Sequence, residues 1–423
     1  MLKHSAVIAA VSNCYSIVRA YNVGLSESDA LLSYLPLAHI FDRVFEEFFL
    51  YLGGSIGYWQ GDVTKLLDDI AALKPSIFIG VPRVFDRIYA RIMGQVNSAS
   101  VVKRSLFNLG LWTKLYFMRQ GWKHGQASPF FDMLVFSKVA ARLGGKVKIV
   151  ISGGAPLSAH VEEFLRVAMC CPVVQGYGLT ETCAASFIAV PDEIGHSATV
   201  GPPTPCTEFR LESVPEMDYD ALDPDRPAGE ILIRGPSNFC GYYKDQKKTD
   251  EDVEEDGWFH SGDIAVFTPE GGVKIVDRKK NIFKLSQGEY VAVEKVEGVY
   301  KKNLLVEQVW VYGNSQEAYL VAVCVPTEEA AKEWASKNGR SGGSLEELCG
   351  VKGFVDHMLA SLQAAGKAEK VKGFEMIKAL HLEAEPFSAE NDLMTPTFKL
   401  KRPQLAKRYK KQIDDMYKEL NRK

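Results

Sequence analysis

Lys146-Val-Lys-Ile-Val-Ile-Ser152 runs directly into Gly153-Gly-Ala-Pro-Leu-Ser158. The apolar run predicts a strand, the paired glycines a turn, and Ser158 the N-cap of a following helix. Pro172-Val-Val-Gln175 predicts another short strand, again ending at a glycine, Gly176. Strand, glycine turn and helix in succession make an α/β arrangement, in which ligands sit beyond the carboxyl ends of the strands. Upstream, Ser76-Ile-Phe-Ile-Gly-Val81 lies between Pro75 and Pro82 and predicts a central strand. Val7, Val11, Cys14, Val18 and Tyr21 fall on one face of an N-terminal helix. Downstream, residues 200 to 276 hold frequent Pro and Gly between runs such as Gly229-Glu-Ile-Leu-Ile-Arg234, which predicts a small β-barrel or sheet subdomain. Within it, the acidic run Asp250-Glu-Asp-Val-Glu-Glu-Asp256 reads as a solvated loop. From Asp277 onward, mixed strands and amphipathic helices read as a final domain, so the expected division is 1–277 and 278–423.

The chain has 423 residues, 46% hydrophobic and 24% charged, enough to bury a core in more than one domain. A formal net charge of -3 gives no footprint for nucleic acid. The eight cysteines include no Cys-x-x-Cys pair, so neither a disulfide framework nor a zinc site is indicated, and a reducing intracellular compartment fits. No stretch reaches the roughly 18 uninterrupted apolar residues of a transmembrane helix, and Asn421-Arg-Lys423 is not a peroxisomal tripeptide. Two basic segments allow a peripheral membrane contact as well as ordinary surface packing. One is the aromatic stretch 101–123; the other begins at Lys399.

Four motifs stand in order: Leu35-Pro-Leu-Ala-His-Ile-Phe-Asp-Arg43, Gln175-Gly-Tyr-Gly-Leu-Thr-Glu-Thr182, Gly257-Trp-Phe-His-Ser-Gly-Asp-Ile264 continued by Asp277-Arg-Lys-Lys-Asn-Ile-Phe-Lys-Leu-Ser-Gln-Gly-Glu289, and Thr395-Pro-Thr-Phe-Lys-Leu-Lys-Arg402. Together they resemble the adenylate-forming enzymes, specifically the eukaryotic, plant-like long-chain acyl-CoA synthetases. The resemblance covers essentially the whole chain. It implies a mixed α and β fold: a partial large AMP-binding domain of α/β layers with a β-subdomain, then a small mobile α+β C-terminal domain. It also implies that the family's phosphate loop stands immediately before Met1-Leu-Lys-His4.

The implied activity is ligation of a long-chain fatty acid to CoA. ATP converts the carboxylate oxygen into a leaving group by forming an acyl-AMP, and Mg2+ neutralises phosphate charge. In Gly176-Tyr-Gly-Leu-Thr-Glu181, the family's glycines Gly176 and Gly178 let backbone approach the nucleotide, Tyr177 stacks on adenine, Thr180 donates to phosphate and Glu181 holds Mg2+. Gly153, Gly154 and Ala155 match the segment that wraps adenine and ribose. Asp263 and Arg278 match the ribose partners, and Lys399 matches the catalytic lysine that bridges carboxylate and α-phosphate. The C-terminal domain is expected to pivot near Lys280 and then present the Lys284 to Glu289 loop, with Gly288, for CoA. His39 reads equally as a packed structural residue and as a group near the acyl carboxylate. Pro82-Arg-Val-Phe-Asp-Arg-Ile-Tyr89 reads equally as a helix start and as a wall of the acyl channel. Two other readings stay open: an inactive form that binds nucleotide, CoA or a partner, and a form that performs only thioester formation from supplied acyl-AMP. The expected location is cytoplasmic or peripheral on the endoplasmic reticulum.

Overall fold

The computed structural model describes residues 1–62, 65–340, 343–396 and 398–422, with every side chain among them except those of Asp277 and Lys280. The chain divides into two compact units, Met1–Ile275 and Val276–Lys423.

The first unit is built on a six-stranded sheet in the order β2-β1-β3-β4-β5-β6. Its strands are β1 (Ala30–Ser33), β2 (Ser55–Tyr58), β3 (Ile77–Gly80), β4 (Ile149–Ser152), β5 (Val173–Tyr177) and β6 (Phe187–Ile188). β1 to β5 are parallel, and β6 runs antiparallel to β5. Central strands covered on both faces must be apolar throughout, and β3 and β4 are buried at every position. Strand alternation then sorts the side chains. Leu32, Phe78, Val150 and Val173 join one core with α3 (Leu66–Leu73), α4 (Pro82–Ser98) and α5 (Val101–Arg119). Leu31, Ile77, Ile79, Ile151 and Val174 join another with α1 (His4–Ala20) and α2 (Ile40–Leu52).

Both expected glycine turns follow parallel strands, and the helix Ala159–Ala168 starts after Ser158. Ser158 occupies the N-cap position but its side chain makes no capping bond; its carbonyl instead accepts from Val161 and Glu162 N–H. The deepest stripe of α1 is Ala6, Ala10, Asn13 and Ile17, one position before most of the expected residues, because two alanines permit close packing there. Residues 200–276 hold β7 (Glu208–Glu212), β8 (Ala228–Arg234), β9 (Phe259–Phe267) and β10 (Val273–Arg278), a sheet in the order β10-β9-β8-β7. The acidic run is not simply a solvated loop: its first three residues end the helix Gln246–Asp252, and Asp252 accepts from Tyr242 and Lys248.

The second unit carries the hairpin β11 (Ile282–Lys284) and β12 (Tyr290–Ala292), then the sheet β13 (Val306–Tyr312), β14 (Leu320–Pro326) and β15 (Ile377–Leu382). One face of that sheet packs on the helices Val293–Tyr300 and Lys352–Ala368, the other on Arg402–Arg408 and Lys410–Leu420. The basic tail is therefore amphipathic, with Leu405, Tyr409, Ile413 and Tyr417 buried.

Asp42 is fully buried in α2, accepting from the Ser33 hydroxyl at 3.0 Å, while its Oδ1 has no hydrogen-bond partner. Burial, with a smaller contribution from the Glu46 carboxylate, pushes the Asp42 carboxyl up to about 7 against the pull of Ser33. The folded protein thus favours the neutral acid, and this contribution to stability, complete below the unfolded value near 3.8, is lost as pH rises through about 7. Asp42→Asn, which imitates the protonated acid, is expected to match wild type at pH near 4 and exceed it above pH 8 by up to about 4 kcal/mol. Denaturant unfolding of both proteins at the two pH values checks this; parallel pH profiles would refute it.

Candidate active site

The loops that leave β1, β3, β4 and β5 all emerge at the carboxyl edge of the parallel sheet, where open α/β sheets bind ligands. They carry His39, Pro82, Gly153 to Ala155 and Gly178 to Glu181.

Gln175 ties two of these loops together. Its Oε1 accepts from Leu157 N–H at 2.7 Å, while its Nε2 donates to the Leu157 carbonyl at 3.1 Å and to Glu162 Oε2 at 2.7 Å. Glu162 also accepts from Arg166 at 3.0 Å and from Ala198 N–H at 3.0 Å. Burial raises the Glu162 carboxyl above its usual range despite Arg166. The segment Gly153–Ser158 is thereby fixed against β5.

Tyr177 and Asp263 meet directly: the tyrosine hydroxyl donates to Asp263 Oδ2 at 2.6 Å. Asp263 is buried on β9, where Gly262 takes φ +69° and donates its N–H to Glu230. Tyr177 packs edge-on against Phe187. Thr180 begins a short 3-10 turn and is exposed, and Thr182 braces the turn by accepting from Leu179 N–H at 3.0 Å. Glu181 is half-buried and accepts from Tyr242 Oη at 3.0 Å, which also lies 3.1 Å from Asp252. Burial and then these two carboxylates hold the Tyr242 hydroxyl well above the ordinary tyrosine range.

At two positions the protein's own packing also requires a glycine. A Cβ on Gly178 would come 1.9 Å from the Ala184 carbonyl oxygen, and one on Gly153 would come 2.8 Å from the Phe41 ring. Both spaces are filled by the protein's own turn and helix, so these glycines allow the loops to close on themselves. Gly154 is required by its left-handed backbone, φ +81°, and Gly176 has looser surroundings, with the Phe187 carbonyl 3.6 Å from a built Cβ. Ala155 is exposed at the tip of its loop.

His39 is the N-cap of α2, its Nδ1 accepting from Phe41 N–H at 3.3 Å. That bond requires a neutral ring with the proton on Nε2. Tyr89, in α4, packs against His160 and Phe164.

The remaining residues belong to the second unit. Arg278 ends β10 and precedes the 3-10 turn Lys279–Asn281, which contains Lys280; the Lys280 side chain lies outside the described residues. Gly288 takes φ +95° in the β11–β12 turn and donates to the Leu285 carbonyl. Lys399 lies in a small loop closed on both sides by Thr395: Thr395 N–H donates to the Lys399 carbonyl, and Lys399 N–H to the Thr395 hydroxyl. Arg402 anchors the end of that loop through two 2.9 Å bonds to the buried Glu297.

Sequence reasoning missed Tyr242, Glu162 and Asp42. Tyr242 sits in Gly241-Tyr-Tyr243 with no distinguishing pattern, and Glu162 is an ordinary helix residue by spacing. Among the described residues, the group with metal-ligand spacing is Glu212, Glu254 and His260; Glu181 is not part of it.

The model of the AMP-binding enzyme family matches residues 1–243, and the chain belongs to that family. It is 50% identical to long chain acyl-CoA synthetase 4 of Arabidopsis thaliana over all of this chain and 63% of that protein. The chain thus spans a little under two thirds of the length of the curated relatives it matches. Among solved structures, it resembles the adenylation domain of a carboxylate reductase from Mycobacterium chelonae, with TM-score 0.73 and 28% identity over 92% of this chain and 54% of that one. It also resembles the corresponding domain from Segniliparus rugosus, in complex with AMP and a co-purified carboxylic acid, with TM-score 0.70 and 29% identity over 93% and 55%. The mixed α/β fold is that of adenylation domains.

Gly178→Ala is expected to destabilise the first unit by on the order of 3 kcal/mol, since its new methyl group meets a backbone carbonyl rather than a movable side chain. A variant that melts with wild type would refute the packing role.

Proposed function

We propose that this chain carries the acyl-adenylate chemistry of a long-chain fatty acid:CoA ligase. A fatty acid carboxylate oxygen bonds to the α-phosphorus of ATP as pyrophosphate leaves; the CoA thiolate then bonds to the acyl carbon as AMP leaves. The observation that carries the reading is the Tyr177–Asp263 bond at the carboxyl edge of the sheet, between two segments far apart in sequence. The likeness to long chain acyl-CoA synthetase 4 over the whole chain supports the substrate class.

In this reading Tyr177 offers its ring face to adenine while its hydroxyl orients Asp263, whose carboxylate accepts from the ribose hydroxyls. Gly153, Gly154 and Ala155 line the nucleoside, held in place by Gln175. Thr180, exposed at the start of its turn, donates to a phosphate oxygen. Glu181 suits Mg2+: it is a hard, partly exposed carboxylate, and Mg2+ takes one or two carboxylates together with phosphate oxygens and water. Bound there, the ion would offset phosphate charge. Lys399 supplies its ammonium between carboxylate and α-phosphate, its backbone held by Thr395 and the following turn by Arg402 on Glu297. Arg278 adds a ribose contact, Lys280 is the pivot, Gly288 shapes the CoA loop and His39 Nε2 faces the reacting carboxyl. A cytoplasmic or membrane-peripheral location belongs to the same proposal.

The test is acyl-CoA formation from oleate, ATP, Mg2+ and CoA by the purified chain, beside thioester formation from supplied oleoyl-AMP. Lys399→Ala is expected to lower the adenylation half-reaction by at least about a hundredfold, and to leave thioester formation from oleoyl-AMP within about threefold of wild type. Thioester formation only from oleoyl-AMP would restrict the chain to the second half-reaction. No product from either route would overturn the proposal.

A further inference from the structure

α5 carries two opposed stripes. Phe107, Gly110, Lys114 and Met118 face inward, with Gly110 so close to Phe131 that a Cβ would sit 2.9 Å from its ring, and Lys114 fully buried on Asp132 at 2.6 Å. On the other side Val102, Leu109, Trp112 and Tyr116 recur at helical spacing and are all exposed, Val102 by 77% and Trp112 by 65%. Trp112 and Tyr116 stack on each other, centroids 5.6 Å apart, out on this surface. The segment Asp132–Phe136, which packs against α5, adds exposed Met133, at 71%. Single exposed apolar residues are ordinary, but four on one helix face, ending in a stacked Trp–Tyr pair, mark a binding surface.

The charge around this stripe selects its partner. Between Ala99 and Lys148 the sequence has nine Lys or Arg and a single acid, Asp132, within a chain whose net charge is -3; Lys114, Arg119 and Lys148 are paired with Asp132, Glu163 and Asp29. Lys103, Arg104, Lys123 and Lys138 are exposed and form no ion pair among the described residues. Lys103 and Arg104 stand in the first turn of α5, which holds no acid. Cations at that end oppose the helix dipole, so helix stability does not account for them. Tryptophan and tyrosine on one face with lysine and arginine at both ends is the chemistry of a helix lying in the headgroup region of an anionic bilayer.

We infer that α5 is a membrane-docking helix that seats the first unit on anionic phospholipid. The inference stands on this surface alone; combined with the ligase reading, it places the enzyme where its apolar substrate is dissolved.

The experiment is flotation of the full 423-residue chain with vesicles of phosphatidylcholine alone or with roughly 30% phosphatidylserine. Binding is expected only with phosphatidylserine and is expected to weaken with salt. The double variant Lys103→Glu/Arg104→Glu should bind on the order of thirtyfold less tightly. Trp112→Ser/Tyr116→Ser should lose a similar factor, with circular dichroism unchanged in both; the melting temperature of the charge-reversed variant should not fall, because acids in the first turn of a helix favour its dipole. Absence of binding to phosphatidylserine vesicles, or binding that neither pair alters, would overturn the inference. So would a dimer in sedimentation equilibrium abolished by these substitutions in a protein that ignores lipid, since the stripe would then serve a second copy. Vesicle binding is read without turnover, so its failure leaves the ligase proposal untouched.

Discussion

Everything at the sheet edge depends on one buried amide. Gln175 uses both ends of its side chain on the Leu157 backbone and a further donor on Glu162, so the loop after β4 cannot move independently of the strand that carries Tyr177. Glu162 is in turn held by fully buried Arg166, which also donates to the Val173 carbonyl on β5. Such a network is demanding: Arg166 Nε and Nη1 have no acceptor among the described residues, and a buried unmet donor costs about 1–3 kcal/mol. The arrangement therefore favours positional definition of two loops over stability alone. An apolar residue at 175 would leave the Leu157 N–H and carbonyl without that partner and would release the loop.

The same logic recurs wherever a functional loop leaves a rigid element. Gly178 closes its turn against Ala184, Thr182 braces it, and Tyr242 holds Glu181 from the other side. In the second unit, Arg402 on Glu297 and Thr395 on Lys399 perform this service for the lysine loop. Glu181 and Lys399 are thus each backed by neighbours outside the proposed substrate contacts, which is what preorganised sites require.

Much of the fold could be read from residue pattern. The apolar runs at Ile77–Gly80 and Ile149–Ser152 are strands buried at every position, and their shortness, β-branched content and flanking turn residues favour a strand over a buried helix. What remained hidden depended on partners distant in sequence. Asn13, a polar residue on the buried face of α1, is explained by Ala185, Thr204 and Cys206, which it bonds from more than 170 residues away. The acidic run after Thr249 looked like solvent-facing charge until Asp252 met Tyr242. The motif glycines were visible as glycines, but whether their empty side faces a ligand or the chain's own carbonyl is a three-dimensional fact. Tyr177 and Asp263 each stand in a motif the sequence singles out, whereas their mutual bond could not be read there.

The central claim is that Tyr177 and Asp263 form the nucleoside end of an acyl-adenylate site. Calorimetric titration of the chain with oleoyl-sulfamoyl adenosine, a stable stand-in for the acyl-AMP, tests it without requiring turnover. The account predicts saturable one-to-one binding that Asp263→Ala weakens by about tenfold to a hundredfold, the worth of a hydrogen bond to a charged group. Binding that Asp263→Ala leaves unchanged, or no binding by a folded chain, would contradict it.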